Sequence, residues 1–404
     1  MRGHRVWAEI DLPALRRNIA TVRREVGPSP RIMAVVKADA YGHGAVPVAW
    51  HALKSGCDAL GVGDSTEALE LRDSGITGPI LILGAIIEEE IPKVVEADVA
   101  VSVHSPDLLD LLDTEARRQH RIVRLHLKID TGMGRLGASP IRAAEIAREI
   151  ESRPNLELEG LCTHLSSAIS ANAAHTREQL DKFHEAVSGL AALGIRPPVI
   201  HAANSAGMLT FPESRFDMVR TGITLYGLDP GLFRKLNLNL TPILSLRTRI
   251  AFLKGLPEGA SVGYEQTWRT KRATRIATCP VGYNDGYPRL LSNKAFALVR
   301  GKRVPVVGTV TMDYVMLDVG DLDEATVGDE VTLIGRDGME EIRCDELASA
   351  IGTIPYELTC GLGRRVKRIY VEEPARAELS SGIRPSLRVS GSSPELPLPS
   401  RRPA

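Results

Sequence analysis

Eight short apolar runs rich in β-branched residues recur between residues 32 and 219, and they constrain this chain more than any other feature. They fall at 32–36, 59–62, 80–83, 99–103, 123–129, 156–162, 199–202 and 216–219. A continuous apolar run of this length suits a strand covered on both faces, not one with a wet side. Between the runs lie stretches that read as helices, at 67–73, 107–118, 141–152 and 176–193. Another helix is predicted over 11–27, with Leu12, Leu15, Ile19, Val22 and Val26 at spacings of three and four, Asp11 placed to cap its start and Gly27 to stop it. Eight strands alternating with helices predict an α/β fold of the (β/α)8 barrel type, since an open doubly wound sheet usually has fewer strands.

The texture changes after residue 240. Alternating or β-rich segments at 248–253, 274–278, 295–300, 304–310, 315–319 and 330–334 are separated by turn signals such as Pro257-Glu258-Gly259, and one short helix is predicted over 344–351. The predicted division is a barrel over 11–236, with 1–10 and 237–371 in a mostly β domain. Residues 375–404, rich in Ser, Pro and Arg and without periodicity, are predicted to be disordered.

Fifty basic and fifty acidic residues give a net charge of zero, so no global field draws the chain to nucleic acid or to anionic lipid. The apolar runs are far shorter than the roughly 20 residues that span a bilayer. Acidic Glu9 interrupts the start of the chain where a signal peptide needs its apolar stretch. A soluble cytoplasmic protein follows. The five cysteines are scattered singly, which argues against a disulfide scaffold, and no metal site is predicted.

In a (β/α)8 barrel the site is built where the strands end, with phosphate often held after strands seven and eight. Strand one here ends at Lys37, followed by Ala38-Asp39-Ala40-Tyr41-Gly42-His43-Gly44. Strand five ends at Lys128-Ile129-Asp130 before a glycine-rich loop holding Arg135, and strand six runs into His164. Strand seven leads to Asn204-Ser205-Ala206-Gly207 and strand eight to Arg220-Thr221-Gly222-Ile223. Lys37 reads either as a charge at a strand end or, beside Lys128 and arginines in a desolvated mouth, as an amine nucleophile of the Schiff-base kind. Ser205 and the Gly222–Ile223 amides stand where a barrel binds phosphate. Together they suggest pyridoxal phosphate. Tyr264, by spacing alone, is a strand aromatic of the β domain.

The stretches 35–44, 130–137, 219–227 and 308–313 resemble the motifs of bacterial alanine racemase, a fold-type III pyridoxal-phosphate enzyme family, in the same order, and the resemblance extends over roughly residues 5 to 371. The resemblance implies a homodimer whose composite sites interconvert L- and D-alanine and so supply D-alanine for peptidoglycan. It implies that Lys37 forms the internal aldimine with the cofactor and serves as the base on one face of the substrate. Tyr264, from the β domain of a second subunit, would be the base on the other. His164 and Arg220 would support the tyrosine, with Arg220 also facing the pyridine nitrogen and Asp313 in a supporting role. Arg135 and the Met312 amide would meet the substrate carboxylate, and Tyr41, Ser205, Gly222 and Ile223 the phosphate. Lys128 matches a lysine that some members carbamylate to hold the arginine; a plain lysine contact is the alternative. Asp39, Gly263, Glu265, Leu165 to Ala168 and Arg364 depart from the commoner pattern, and Arg364 stands where some members place another phosphate-binding tyrosine. Alternatives are a racemase of broader specificity acting on serine or basic amino acids, a fold-type III decarboxylase, and a non-catalytic barrel that only binds the cofactor.

Overall fold

The computed structural model describes residues 3–169 and 173–372 of the chain; the segment 375–404, predicted from composition to be disordered, lies outside the described residues. Eight parallel strands make a nearly closed barrel: Arg31–Val35, Ala59–Val62, Ile80–Ile82, Ala100–Val103, Val123–Lys128, Leu156–Cys162, Val199–His201 and Met218–Thr221. The first pairs with both the second and the eighth. Between the seventh and eighth, the Arg220 N–H donates to Ala203 O at 3.0 Å and draws the ring towards closure.

The apolar runs are continuous because successive residues serve different cores. Ile32 and Ala34 face outward into the main core beneath the helices, while Met33 joins Ala59, Leu81, Ala100, Val199 and Met218 in a separate plug inside the barrel. Towards the carboxyl ends of the strands the interior turns polar, with Ser102, His126, Lys128, His201 and Arg220 all buried. The first helix spans Leu12–Val26, capped as expected by Asp11, whose carboxylate accepts from the Ala14 N–H at 2.7 Å. Two barrel helices escaped the periodicity reading. Ala45–Lys54 carries Pro47 in its first turn, and Ile91–Glu96 is a six-residue helix, too short to show a period.

The remaining chain forms a mostly β domain. Its largest sheet holds strands Val6–Asp11 and Lys367–Val371 side by side in parallel, with Leu244–Arg249 antiparallel on the other edge of Val6–Asp11, so both ends of the described chain lie in one sheet. The predicted strand 248–253 is two strands, Leu244–Arg249 and Phe252–Leu256, because the chain passes there from this sheet into a three-stranded one. Strand 304–310 likewise contracts to Lys302–Pro305, beyond which Val306 makes only an isolated bridge to Leu317. Helix Cys344–Ile351 forms as expected, followed by Pro355–Cys360. Among the described residues no helix is long and apolar enough to cross a membrane.

One buried side chain joins the first helix to the segment leaving the barrel. Asn18 donates to Leu225 O at 2.9 Å and Thr241 O at 2.8 Å, and accepts from the Thr241 N–H at 2.9 Å. Removing it strands three backbone groups away from water. Asn18→Ala should therefore cost about 3 kcal/mol of stability, read from urea unfolding followed by fluorescence and circular dichroism; a loss below about 1 kcal/mol would show that the joint is not structural.

Candidate active site

Lys37 opens an uncommon turn. Ala38, Asp39, Ala40 and Tyr41 have φ of 53°, 52°, 52° and 56°, a full left-handed turn without a glycine. Each such residue costs roughly 1–2 kcal/mol, so its surroundings must impose the conformation. Glu67 does part of this, its carboxylate accepting from the Ala38 N–H at 2.6 Å and from the Gly63 N–H at 2.7 Å. The Asp39 carboxylate accepts from the Ala45 N–H at 2.7 Å and is thereby committed to the next helix. His43 Nδ1 donates to Ala40 O at 2.8 Å and is 3.0 Å from Tyr41 O, and Arg368 Nε donates to Gly42 O at 3.1 Å.

The turn carries Tyr41 across to strands seven and eight. Its ring lies 5.0 Å from that of Tyr226, and its hydroxyl would be 2.8 Å from a Cβ on residue 222, an approach that only glycine allows. The Gly222 N–H donates to Ser205 Oγ at 2.9 Å. The Ile223 N–H has no acceptor among the described residues. Tyr41, Ser205 and Gly222 thus meet in one small cradle, with the Ile223 amide next to it along the chain.

Arg220 is buried on the inner wall beside this cradle. Its Nη1 meets His201 Nδ1 at 2.7 Å and His201 O at 3.1 Å, and its Nη2 donates to Thr163 O at 2.7 Å and Ala202 O at 2.9 Å, with His164 Nδ1 at 3.4 Å. The fifth donor, Nε, has no acceptor among the described residues. Burial and the Arg220 charge, with Lys128, Arg135 and Lys37 adding to them, push His164 down to about 2, so it is neutral at ordinary pH. Burial, then Arg135, also lower Lys37, against the opposing pull of Glu67 and Cys360. Lys128, lowered chiefly by burial, donates to Leu83 O at 3.0 Å. Arg135 is exposed and unpaired among the described residues; its loop is folded by Asp130, whose carboxylate accepts from the Gly132, Met133 and Gly134 amides at 2.9–3.1 Å.

The β-domain candidates lie elsewhere on the chain. Tyr264 is 69% exposed and Met312 53% exposed. Thr309 Oγ1 donates to Tyr264 O at 3.2 Å, while Asp313 pairs with Arg365 at 2.8 Å, and Arg365 pairs in turn with Asp285 at 3.0 Å. Among the described residues no hydrogen bond, ion pair or ring contact joins Tyr264 or Met312 to the barrel rim. Arg364 lines a cleft of about 370 Å³ with Asp39, Gly44, Glu70, Arg368 and Tyr370. Glu67, His126 and His201 were not singled out in the sequence. The only signal was polarity, a histidine within each of two barrel strands and a carboxylate in the first turn of a helix.

This geometry coincides with two sequence profiles that together span most of the chain, "Alanine racemase, N-terminal domain" over residues 10–230 and "Alanine racemase, C-terminal domain" over 243–370. The chain belongs to the alanine racemase family. It is 47% identical to the alanine racemase of Symbiobacterium thermophilum over 369 residues, 91% of this chain and 98% of that one. It is 38% identical to the crystal structure of alanine racemase from Bacillus anthracis with bound L-Ala-P, covering 92% of this chain and 96% of that one with a TM-score of 0.86. The alanine racemase of Bartonella henselae with covalently bound pyridoxal phosphate is 28% identical, covering 91% of this chain and all (100%) of that one with a TM-score of 0.81.

Buried and half-buried histidines carry a pH signature. His43 and His104 are lowered to about 4 chiefly by burial, and His164 further still. The unfolded chain takes up protons on these residues below about pH 6.5, whereas the folded chain does not until near pH 4 or below. Their contribution to stability is therefore complete above pH 6.5 and declines as pH falls. The urea midpoint should drop steadily from pH 6.5 to about 4.5, before most carboxylates titrate; a level midpoint across that window would contradict the burial of these rings.

Proposed function

We propose that this chain racemises alanine as a pyridoxal-phosphate enzyme, with Lys37 and Tyr264 as the two proton-handling groups. The observation that carries the reading is the convergence at one barrel mouth of a lysine with a lowered pKa, a donor cradle and an arginine with one donor to spare. These residues fit the cofactor. The Tyr41 and Ser205 hydroxyls and the Gly222 and Ile223 amides would take the phosphate. The free Nε of Arg220 would face the pyridine nitrogen, and Lys37 would hold the aldehyde carbon. When bound, pyridoxal phosphate supplies the electron sink that makes the α-proton of an amino acid removable.

The protein's own groups then decide what becomes of that proton. Inverting a stereocentre requires a proton to leave from one face and arrive on the other, which a single rigid base does not easily serve. Lys37 Nζ, desolvated and flanked by cations, gives up its proton more readily than an ordinary lysine and can take one from the near face. The Tyr264 phenol would serve the far face, contributed by the β domain of a second subunit. Since a phenol has an ordinary pKa of about 10, positive charge around Arg220 and Arg135 would help it act near neutrality. Arg135 would pair with the substrate carboxylate as a charge-assisted donor, with the Met312 amide beside it. Asp313 would act indirectly, by fixing Arg365 and the loop that bears Met312. Arg220, which stays protonated, would disfavour a proton on the pyridine nitrogen of a bound cofactor and so limit its electron withdrawal.

Residues 11–236 would thus serve as the cofactor domain, and 1–10 with 237–371 as the domain supplying the second base. The reading carries with it a cytoplasmic homodimer that supplies D-alanine for peptidoglycan.

A chiral assay of the purified protein with a panel of L-amino acids tests the reading. Alanine should be the best substrate, and Lys37→Ala and Tyr264→Phe should each lose at least about 10²-fold in kcat. Mixing the two inactive variants should restore part of the activity, because each mixed dimer keeps one intact site; no recovery after proven subunit exchange would exclude a composite site. Replacing Arg220 by Glu should raise transamination relative to racemisation, and an unchanged product ratio would refute its restraining role.

A further inference from the structure

Arg220 is buried, yet among the described residues no carboxylate pairs with it directly. A buried guanidinium needs its charge answered somewhere. The donor pattern shows where. Arginine has donors only and stays protonated, so His201 Nδ1, 2.7 Å from Nη1, must be the acceptor. The proton of the neutral His201 ring then sits on Nε2, which lies 2.8 Å from His126 Nδ1. His126 Nδ1 must accept in its turn, leaving its own proton on Nε2, 3.0 Å from Glu159 Oε2. Donation therefore runs in one direction, from Arg220 through His201 and His126 to a carboxylate.

We propose that Glu159 is the counter-charge and positioning residue for Arg220, acting through His126 and His201 along a hydrogen-bonded relay inside the barrel. Both imidazoles are buried, and their rings meet edge to face with centroids 5.0 Å apart. Glu159, by contrast, is partly open to solvent. The backbone makes room for the chain of rings. A Cβ on Gly160 would lie 2.2 Å from His126 Nδ1, and the register between the fifth and sixth barrel strands slips between Leu125 and His126. Glycine and slip together place the His126 ring against His201 on the next strand but one.

The charged neighbours agree with this assignment. Glu159 is held below its ordinary pKa chiefly by the hydrogen bond from His126, with Arg124 and Arg31 also facing it. His201 is driven well below the usual histidine range by burial, then by Arg220, His126 and Lys128, which keeps it neutral and able to accept. The relay thus separates a guanidinium at the mouth from a carboxylate at the other end by two neutral, oriented rings. The proposal rests on the reading of Arg220 given above, and it adds what holds that residue in charge and in place.

Nitrogen-15 NMR of histidine-labelled holoenzyme reads the tautomers directly, with the two rings assigned through His126→Gln and His201→Gln. Both should be in the Nε2-protonated form from about pH 6 to 9; an Nδ1-protonated or cationic ring at either position overturns the relay. Glu159→Gln keeps an acceptor but removes the charge. It should move the His126 resonances, lower kcat for alanine about tenfold with KM within about twofold, and shift the acidic limb of kcat/KM down by roughly half a pH unit, because the mouth has lost an opposing negative charge. Glu159→Asp should bring the limb back, which a merely structural defect would not do. Gly160→Ala should lose the shared proton between His126 and His201 while Glu159 keeps its charge. A Glu159→Gln enzyme with unmoved His126 resonances and an unmoved limb overturns the proposal. Should the wild-type holoenzyme fail to racemise alanine, the functional reading falls, and the tautomers alone still decide the relay.

Discussion

Burying the Arg220 guanidinium inside the barrel obliges the chain around it to supply acceptors that water no longer can. Three backbone carbonyls and two histidine nitrogens do so, all drawn from the ends of the sixth and seventh strands and the residues just after them. These acceptors lie where strands seven and eight share no ladder and meet only through single bonds, from the Asp217 N–H to Ile200 O and from the Arg220 N–H to Ala203 O. The caged arginine thus sits beside the one seam of the barrel that no ladder closes.

Burial first, and neighbouring positive charge after it, set the protonation of the groups at the mouth. His164 and His201 are kept neutral, and Lys128 and Lys37 are lowered, in each case by burial first and by neighbouring cations after it. The overall neutrality of the chain conceals this local excess. Lys37, Lys128, Arg135 and Arg220 share one mouth, and Glu67, the carboxylate that acts on Lys37, is tied to two backbone amides. Such a mouth favours a ligand that brings its own negative charge, as a phosphate ester and an amino-acid carboxylate both do.

The barrel was legible in the sequence because both faces of its strands are dry, which forces continuous apolar runs such as 32–36 and 59–62. The β domain was legible only in outline. Its strands have one buried face, so their ends are set by where the chain changes sheet, as between Arg249 and Phe252, and local composition does not record that. The left-handed turn after Lys37 was hidden for a different reason. Ala38, Asp39, Ala40 and Tyr41 have no preference for positive φ, and the conformation is imposed by Glu67, His43 and Arg368, which are distant in sequence or unremarkable within it. His126 and Glu159 were invisible as partners because a slipped register aligns them, and register belongs to pairs of strands.

The two groups proposed to handle the proton lie on different domains. On the proposed reading, Lys37 would serve one face of a bound cofactor from the strand end that carries it. The group proposed for the other face, Tyr264, lies outside the ring of strands, in the β domain. In this chain the loops of the β domain that bear Tyr264, Met312 and Tyr314 leave those side chains exposed, together with Tyr283 nearby. An exposed phenol gains nothing from the charges around Arg220 until it is brought to them. On the proposed reading, docking of a second subunit would do two things at once: cover an apolar, aromatic surface, and carry a weak acid into the field of a mouth already loaded with cations. Assembly and activation of the second base would then be the same event, which explains why a chain of this length can fold fully without completing a site.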